Sequence, residues 1–233
     1  MPKKKPSSGT LKAVFSLEGP AAKVWLGCAI ATALLTLGAA VFPVYPGDVA
    51  LTRVLQDATP ENIAWAERVS DTARQPGRYV LLAAAMAIGW ALYHWQAAMA
   101  AAVAFFTLIG FDLVGKPLFG RPRPTEELVT VPVQHSGYSF PSTFAMVYVT
   151  TFGFAALLLA MSPRGGVRVS GLVLCAACLL VGAAARVVLG GHWPSDMLIC
   201  YLIGFLWLSF LVRVSDRLQE RGTELPPSRS PAP

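Results

Sequence analysis

The sequence predicts an all-α, polytopic membrane protein, a bundle of six transmembrane helices, and three observations carry that expectation. The 233 residues are 55% hydrophobic and only 14% charged, against about a quarter charged in an ordinary soluble domain. Mean hydropathy is +0.54. The charges concentrate at the two ends and in short stretches between long uncharged runs. Disorder needs few apolar residues and high net charge, so it is excluded outside the tails. Cys28, Cys175, Cys178 and Cys200 all stand inside apolar runs and read as small residues packing between helices, not as a disulfide framework or zinc site. The basic residues form no face interleaved with aromatics. A pI near 9.4 therefore points to membrane topology and not to nucleic acid.

A spanning helix needs about 20 mostly apolar residues. Such runs lie at 24–45, 78–94, 97–115, 142–161, 169–189 and 196–213. They divide the chain into an N-terminal segment (1–23), a membrane domain (24–213) and a tail (214–233) expected to be disordered. The run from Tyr79 to Phe111 is broken only by His94 and Gln96. As one helix it would reach about 50 Å, far beyond a hydrocarbon core of about 30 Å, so a hairpin is expected around His94-Trp95-Gln96.

Six spans put both termini on one side. That side holds eleven basic residues against four acidic ones, while the opposite side balances eight against eight. The positive-inside rule makes the first side cytoplasmic, in an inner (plasma) membrane with an uncleaved first helix. The external loop from Pro46 to Gly77 is too long for a turn. Thr59-Pro60 reads as N-cap and first helical position, and Ile63, Ala66, Val69 and Ala73 recur at helical spacing. This predicts a short helix, either lying on the membrane surface or covering the bundle.

The informative charges stand at the external span ends. Lys116, Arg121 and Arg123 close the third span, Arg186 closes the fifth, and His192 and Asp196 lead into the sixth. Phe140-Pro141-Ser142-Thr143 opens the fourth between them. One such arginine alone is commonly a snorkelling side chain. Several cations converging at headgroup level instead form a pocket for a highly charged anion, because guanidinium forks match phosphate oxygens. The Ser142 and Thr143 hydroxyls and the helix N-terminus they open add donors. The ligand expected is a phosphate on a membrane lipid. A carboxylate at Asp196 could fix the tautomer of His192 and leave its other nitrogen as a nucleophile. Three histidines in the whole chain under-supply a metal site, and no metal or other cofactor is expected.

These residues resemble the type 2 phosphatidic acid phosphatase and vanadium haloperoxidase superfamily, and in particular its bacterial membrane-embedded branch. The signature of that family has three blocks. Lys116, Arg123 and Pro124 meet the first in full; Arg186, His192 and Asp196 meet the third, with Ala185 in place of a serine. The resemblance implies that Lys116, Arg123 and Arg186 bind phosphate with Ser142 and Thr143, that His192 attacks phosphorus, and that Asp196 orients it. Arg121 would be an accessory ligand. Asp112, four residues before Lys116, is spaced to pair with that lysine. The second block reads Pro141-Ser142-Thr143-Phe144, so a phenylalanine stands where the family's acid histidine would be. Loss of a general acid costs a factor of about 10² to 10⁴. The loss falls hardest on alkoxide leaving groups, so the expected substrate is a diphosphate lipid such as undecaprenyl or another polyprenyl diphosphate, whose leaving group is a weak base. His135, nine residues earlier, is a candidate substitute acid. The competing reading is a family member that binds or transports lipid phosphate without turning it over.

Overall fold

The computed structural model describes residues 20–59, 61–162 and 165–224, and all regular structure among them is helical. In chain order the helices are α1 (Pro20–Val41), α2 (Asp48–Asp57), α3 (Ala64–Asp71), α4 (Gly77–Leu92), α5 (Trp95–Phe119), α6 (Thr143–Met161), α7 (Gly166–Val188) and α8 (Pro194–Glu224). Five of them, α1 and α5 to α8, are long and apolar enough to cross a membrane. The sixth, α4, has 16 residues and rises about 24 Å at 1.5 Å per residue, a short leg beside longer ones. Outward-facing Leu34, Trp90, Leu113, Val167 and Leu180 are exposed. The apolar exterior on α1, α4, α5 and α7 suits a lipid solvent.

The break in the long apolar run falls at the hairpin. His94 is the N-cap of α5 and its ring nitrogen accepts from Ala97 N–H at 3.3 Å. The two legs close tightly because Ala85, Ala97, Ala98 and Ala101 are small and buried. A Cβ on Gly89 would stand 3.1 Å from the Ala97 carbonyl carbon. At the far end, Gly120 takes a left-handed conformation at φ 60° and returns its N–H to Lys116 O, which turns the chain out of α5 directly into Arg121.

The helix α6 changes winding along its length: Thr143–Tyr148 is α-helical, Val149–Gly153 is a π turn, and Phe154–Met161 is α-helical again. Thr150 and Thr151 hydroxyls donate to the Met146 and Val147 carbonyls there. The core runs along this helix through Phe105, Met146 and Phe154 and ends at Phe140 and Trp193, all essentially sealed.

Two sequence expectations are corrected. The single loop helix beginning at Pro60 is instead α2 and α3, and α3 begins at Ala64. Thr59 cannot serve as its cap because its hydroxyl donates back to Leu55 O at 2.6 Å, closing α2. The N-cap is Ile63, and Asn62 just before it accepts from Ala64 N–H through its side-chain oxygen at 3.0 Å. The α3 helix does not lie on lipid: Ala66 is buried against Ala185 and Leu189, with Ile63, Trp65 and Val69 around them. Second, α8 continues as helix to Glu224, eleven residues into the segment expected as disordered tail. Residues 1–19, Pro60, 163–164 and 225–233 lie outside the described residues.

Candidate functional site

A cavity of about 350 Å³ opens where α5 ends and α6 begins. Lys116 reaches it from α5, Arg123 and His135 from the loop that follows, Thr143 and Phe144 from the first turn of α6, and Arg186 from the end of α7. His192 enters from the turn before α8, and Ser70, Arg74, Gln75 and Arg78 close the side formed by α3 and α4. Four buried polar atoms without a hydrogen-bond partner belong to these lining residues: Arg78 Nε, His135 Nε2, Arg186 Nε and His192 Nδ1. Orphaned polar atoms at this density mark a place built for a polar guest.

The cations are held by carbonyls and hydroxyls. Lys116 pairs with Asp112 one turn earlier and donates to Thr143 Oγ1 at 2.9 Å, and Thr143 donates to Asp112 at 2.6 Å. That triangle ties the end of α5 to the start of α6. Arg123 donates through Nε to the Ser136 and Gly137 carbonyls and through Nη1 to Gly191 O. Arg186 donates to Ser70 Oγ at 2.6 Å and lies over the Phe144 ring, 5.9 Å from its centroid. Phe144 in turn stacks on Tyr148 at 4.1 Å between centroids.

His192 is buried, with Nε2 3.3 Å from Ser142 Oγ and Nδ1 3.7 Å from Asp196 Oδ2. The second distance is beyond hydrogen-bond reach, yet Nδ1 has no other partner. Burial first, then the charges of Arg186 and Arg123, push the His192 imidazole down to about 3, against the opposing pull of Asp196. It is therefore neutral at physiological pH, as a nucleophile must be. Asp196 accepts from other donors as well: Arg121 on Oδ1, Ser139 and the Trp193 N–H on Oδ2.

Two residues depart from the roles expected of them. Arg121 does not face the cavity; it is sealed inside, paired with Asp48 and Asp196, bonded to Ser195 Oγ and Pro43 O, and set over the Tyr45 ring at 4.9 Å. Its donors go to Asp48, Asp196, Ser195 Oγ and Pro43 O, so it braces Asp196 from behind and does not line the cavity. Ser142 also stands behind the lining. Its N–H donates to Cys200 Sγ at 3.3 Å and its hydroxyl accepts from Ala145 N–H, which leaves it to cap α6 and touch His192.

Sequence reading missed Ser70, Arg74, Gln75 and Arg78 on the cavity wall and Asp48 behind Arg121. Nothing in local spacing marks them, because α3 meets α7 only through tertiary packing. The helix α2 fastens the same region: Arg53 donates to Leu128 O and Gln56 to Thr130 O. A larger cleft of about 570 Å³ beside α2 carries Asp57, Glu126 and Glu127 with Arg53 as its one cation, a lining that repels phosphate. Among the described residues no three His, Cys, Asp or Glu side chains are grouped to hold a metal.

Fold and cavity together define a multi-pass helical membrane protein with a cation-walled pocket around a neutral histidine at one end of the bundle. The chain belongs to the PAP2 superfamily, whose family model matches residues 91–220. Its fold is similar to a solved structure described as the first transmembrane PAP2 type phosphatidylglycerolphosphate phosphatase, from Bacillus subtilis. The two are 16% identical with a TM-score of 0.66, over 83% of this chain and 96% of that one. Comparison with curated proteins finds no match.

Proposed function

We propose that the chain is an integral membrane phosphatase that hydrolyses a lipid phosphate, and preferentially a lipid or polyprenyl diphosphate, through a phosphohistidine. The observation that carries this is the neutral His192, its Nε2 beside Ser142 Oγ, in one cavity with Lys116, Arg123 and Arg186. Simple anion binding has no use for a buried imidazole backed by a carboxylate. In the reaction, Nε2 forms a bond to phosphorus as the bond from phosphorus to the leaving oxygen breaks. The three cations stabilise the negative charge on the phosphoryl oxygens in the transition state. The imidazole becomes cationic on phosphorylation, and Asp196 is placed to receive the Nδ1–H once the 3.7 Å gap closes, as catalytic hydrogen bonds commonly do when substrate arrives. Water then attacks the phosphorus and frees His192.

Two features favour the diphosphate. Phe144 lines the cavity and has no proton to give, so strongly basic leaving groups depend on a donor from elsewhere in the lining while a diphosphate does not. Arg74 and Arg78 extend the positive wall beyond the three cations read from the sequence, which suits a second phosphate. The excess of basic residues on the side of the termini favours cytoplasmic ends and a site at the external or periplasmic face.

The second reading, a protein that binds lipid phosphate without turnover, is favoured by the same Phe144. Phosphate release by the purified protein in detergent, from polyprenyl diphosphate, phosphatidate and lysophosphatidate, decides between them. Release above the level of His192→Ala, highest on the diphosphate, is expected. Release no greater than that variant on all three substrates leaves only the binding reading, and equal release from all three removes the diphosphate preference.

A further inference from the structure

Resting on the phosphatase reading, we infer that His135 is the proton donor to the leaving group, acting from the loop that lines the same cavity as Phe144. The lining offers few candidates. Arginine does not give up its proton at physiological pH, Lys116 is tied to Asp112 and Thr143, and Phe144 has no labile hydrogen. Besides His192, which must attack phosphorus, His135 is the lining residue whose side chain can both carry and release a proton.

Its geometry suits the task. Nδ1 lies 2.7 Å from Val133 O, and a carbonyl only accepts, so Nδ1 carries a proton and fixes the ring. Nε2 is buried without a partner, on a residue that lines the cavity. The ring lies against Gly191, whose added Cβ would stand 3.2 Å from His135 Cε1 and 2.8 Å from Arg186 Nη2, so His135 and Arg186 close over the residue next to His192. In the empty cavity burial first, then Arg186, with smaller contributions from Arg123 and Arg74, push the imidazole down to about 4. A bound phosphate offsets those three cations and draws a proton onto Nε2.

The cycle balances. As His192 bonds to phosphorus and the leaving oxygen departs with the bonding pair, Nε2–H of His135 passes its proton to that oxygen. Neutral Nε2 then takes a proton from the water that attacks the phosphohistidine. The phosphorus–nitrogen bond breaks, and both histidines return to their starting states.

The test compares wild type with His135→Gln on substrates that differ in leaving-group basicity. With phosphatidate, kcat falls by about 10²-fold or more. With 4-nitrophenyl phosphate and with polyprenyl diphosphate, whose leaving groups are weak bases, it falls by less than about tenfold. Phe144→His in the His135→Gln background restores phosphatidate turnover. In histidine ring NMR, saturating inorganic phosphate raises the His135 titration by more than a unit; the chain has only three histidines to assign. Equal losses on all substrates, no loss on phosphatidate, or an unmoved titration overturn the acid role while leaving His192 as nucleophile intact. Absence of turnover by wild type on every substrate overturns both.

Discussion

The Arg121 guanidinium and the Asp48 carboxylate meet at 2.8 Å with both side chains shut away from solvent. Asp48 also accepts from Tyr45 N–H and from the N–H and hydroxyl of Ser195, so the carboxylate at the start of α2 is woven into the start of α8. Arg121 passes the connection on to Asp196, which faces His192. The arrangement sets the position of the Asp196 carboxylate from a residue about 150 positions away in sequence.

Removing one partner of a buried pair leaves the other charge uncompensated, at about 3–5 kcal/mol. Asp48→Asn should therefore destabilise the protein on that scale and lower kcat without raising KM, because Asp48 touches no substrate. Unfolding in detergent and steady-state phosphate release read the two effects. A variant with wild-type stability and activity would show that Asp196 is held without Asp48.

Arg186 offers a different test, because its charge can be kept while its shape is changed. The guanidinium spans Ser70 and the cavity and rests on Phe144; a lysine at the same place has one compact head and cannot do both. A hydrogen bond to a charged group contributes about 1.5–3 kcal/mol. Arg186→Lys is expected to weaken competitive inhibition by inorganic phosphate by about ten- to a hundredfold. An unchanged inhibition constant would mean that charge alone binds the anion there.

How much of this was legible follows from where each signal resides. Spans, the hairpin and the Asp112–Lys116 pair rest on local spacing, and the family signature placed Lys116, Arg123, Arg186 and His192 around one cavity. Arg121 stands inside the same signature yet faces the opposite way. Its direction is decided by Gly120, whose left-handed turn aims the chain toward Asp48 and Asp196, and spacing alone carries no such vector. Ser70 and Arg78 were invisible for a related reason: they are ordinary helix-surface residues until α3 docks on α7.

The depressed His192 and His135 have a consequence for stability against pH. Both rings are neutral in the folded protein well below the ordinary value of 6.5, to about 3 and about 4 respectively, whereas the unfolded chain takes up protons near 6.5. Between those limits the unfolded state binds more protons, so stability falls as pH is lowered from about 6.5 and is indifferent to these groups above it. His192→Gln should flatten the dependence of the unfolding midpoint below pH 6.5. Coincident curves for variant and wild type across pH 4–6.5 would contradict a buried neutral His192.

Arg78 tests the diphosphate preference independently of leaving-group chemistry. It is half-buried at the start of α4, with Nη2 donating to Tyr79 Oη at 3.1 Å and Nε buried without a partner. Arg74, one turn earlier, is exposed and already paired with Asp71, and exposed pairs contribute at most about 1 kcal/mol. Arg78 is thus the stronger candidate to meet a second phosphate. Arg78→Met keeps the apolar stem and removes the charge. It should raise KM for a polyprenyl diphosphate about tenfold or more, the scale of one lost charge-assisted hydrogen bond, and leave KM for phosphatidate within about twofold. If both constants rise together, Arg78 serves the phosphate that reacts. If neither rises, the second phosphate lies elsewhere and the preference rests on Phe144 alone.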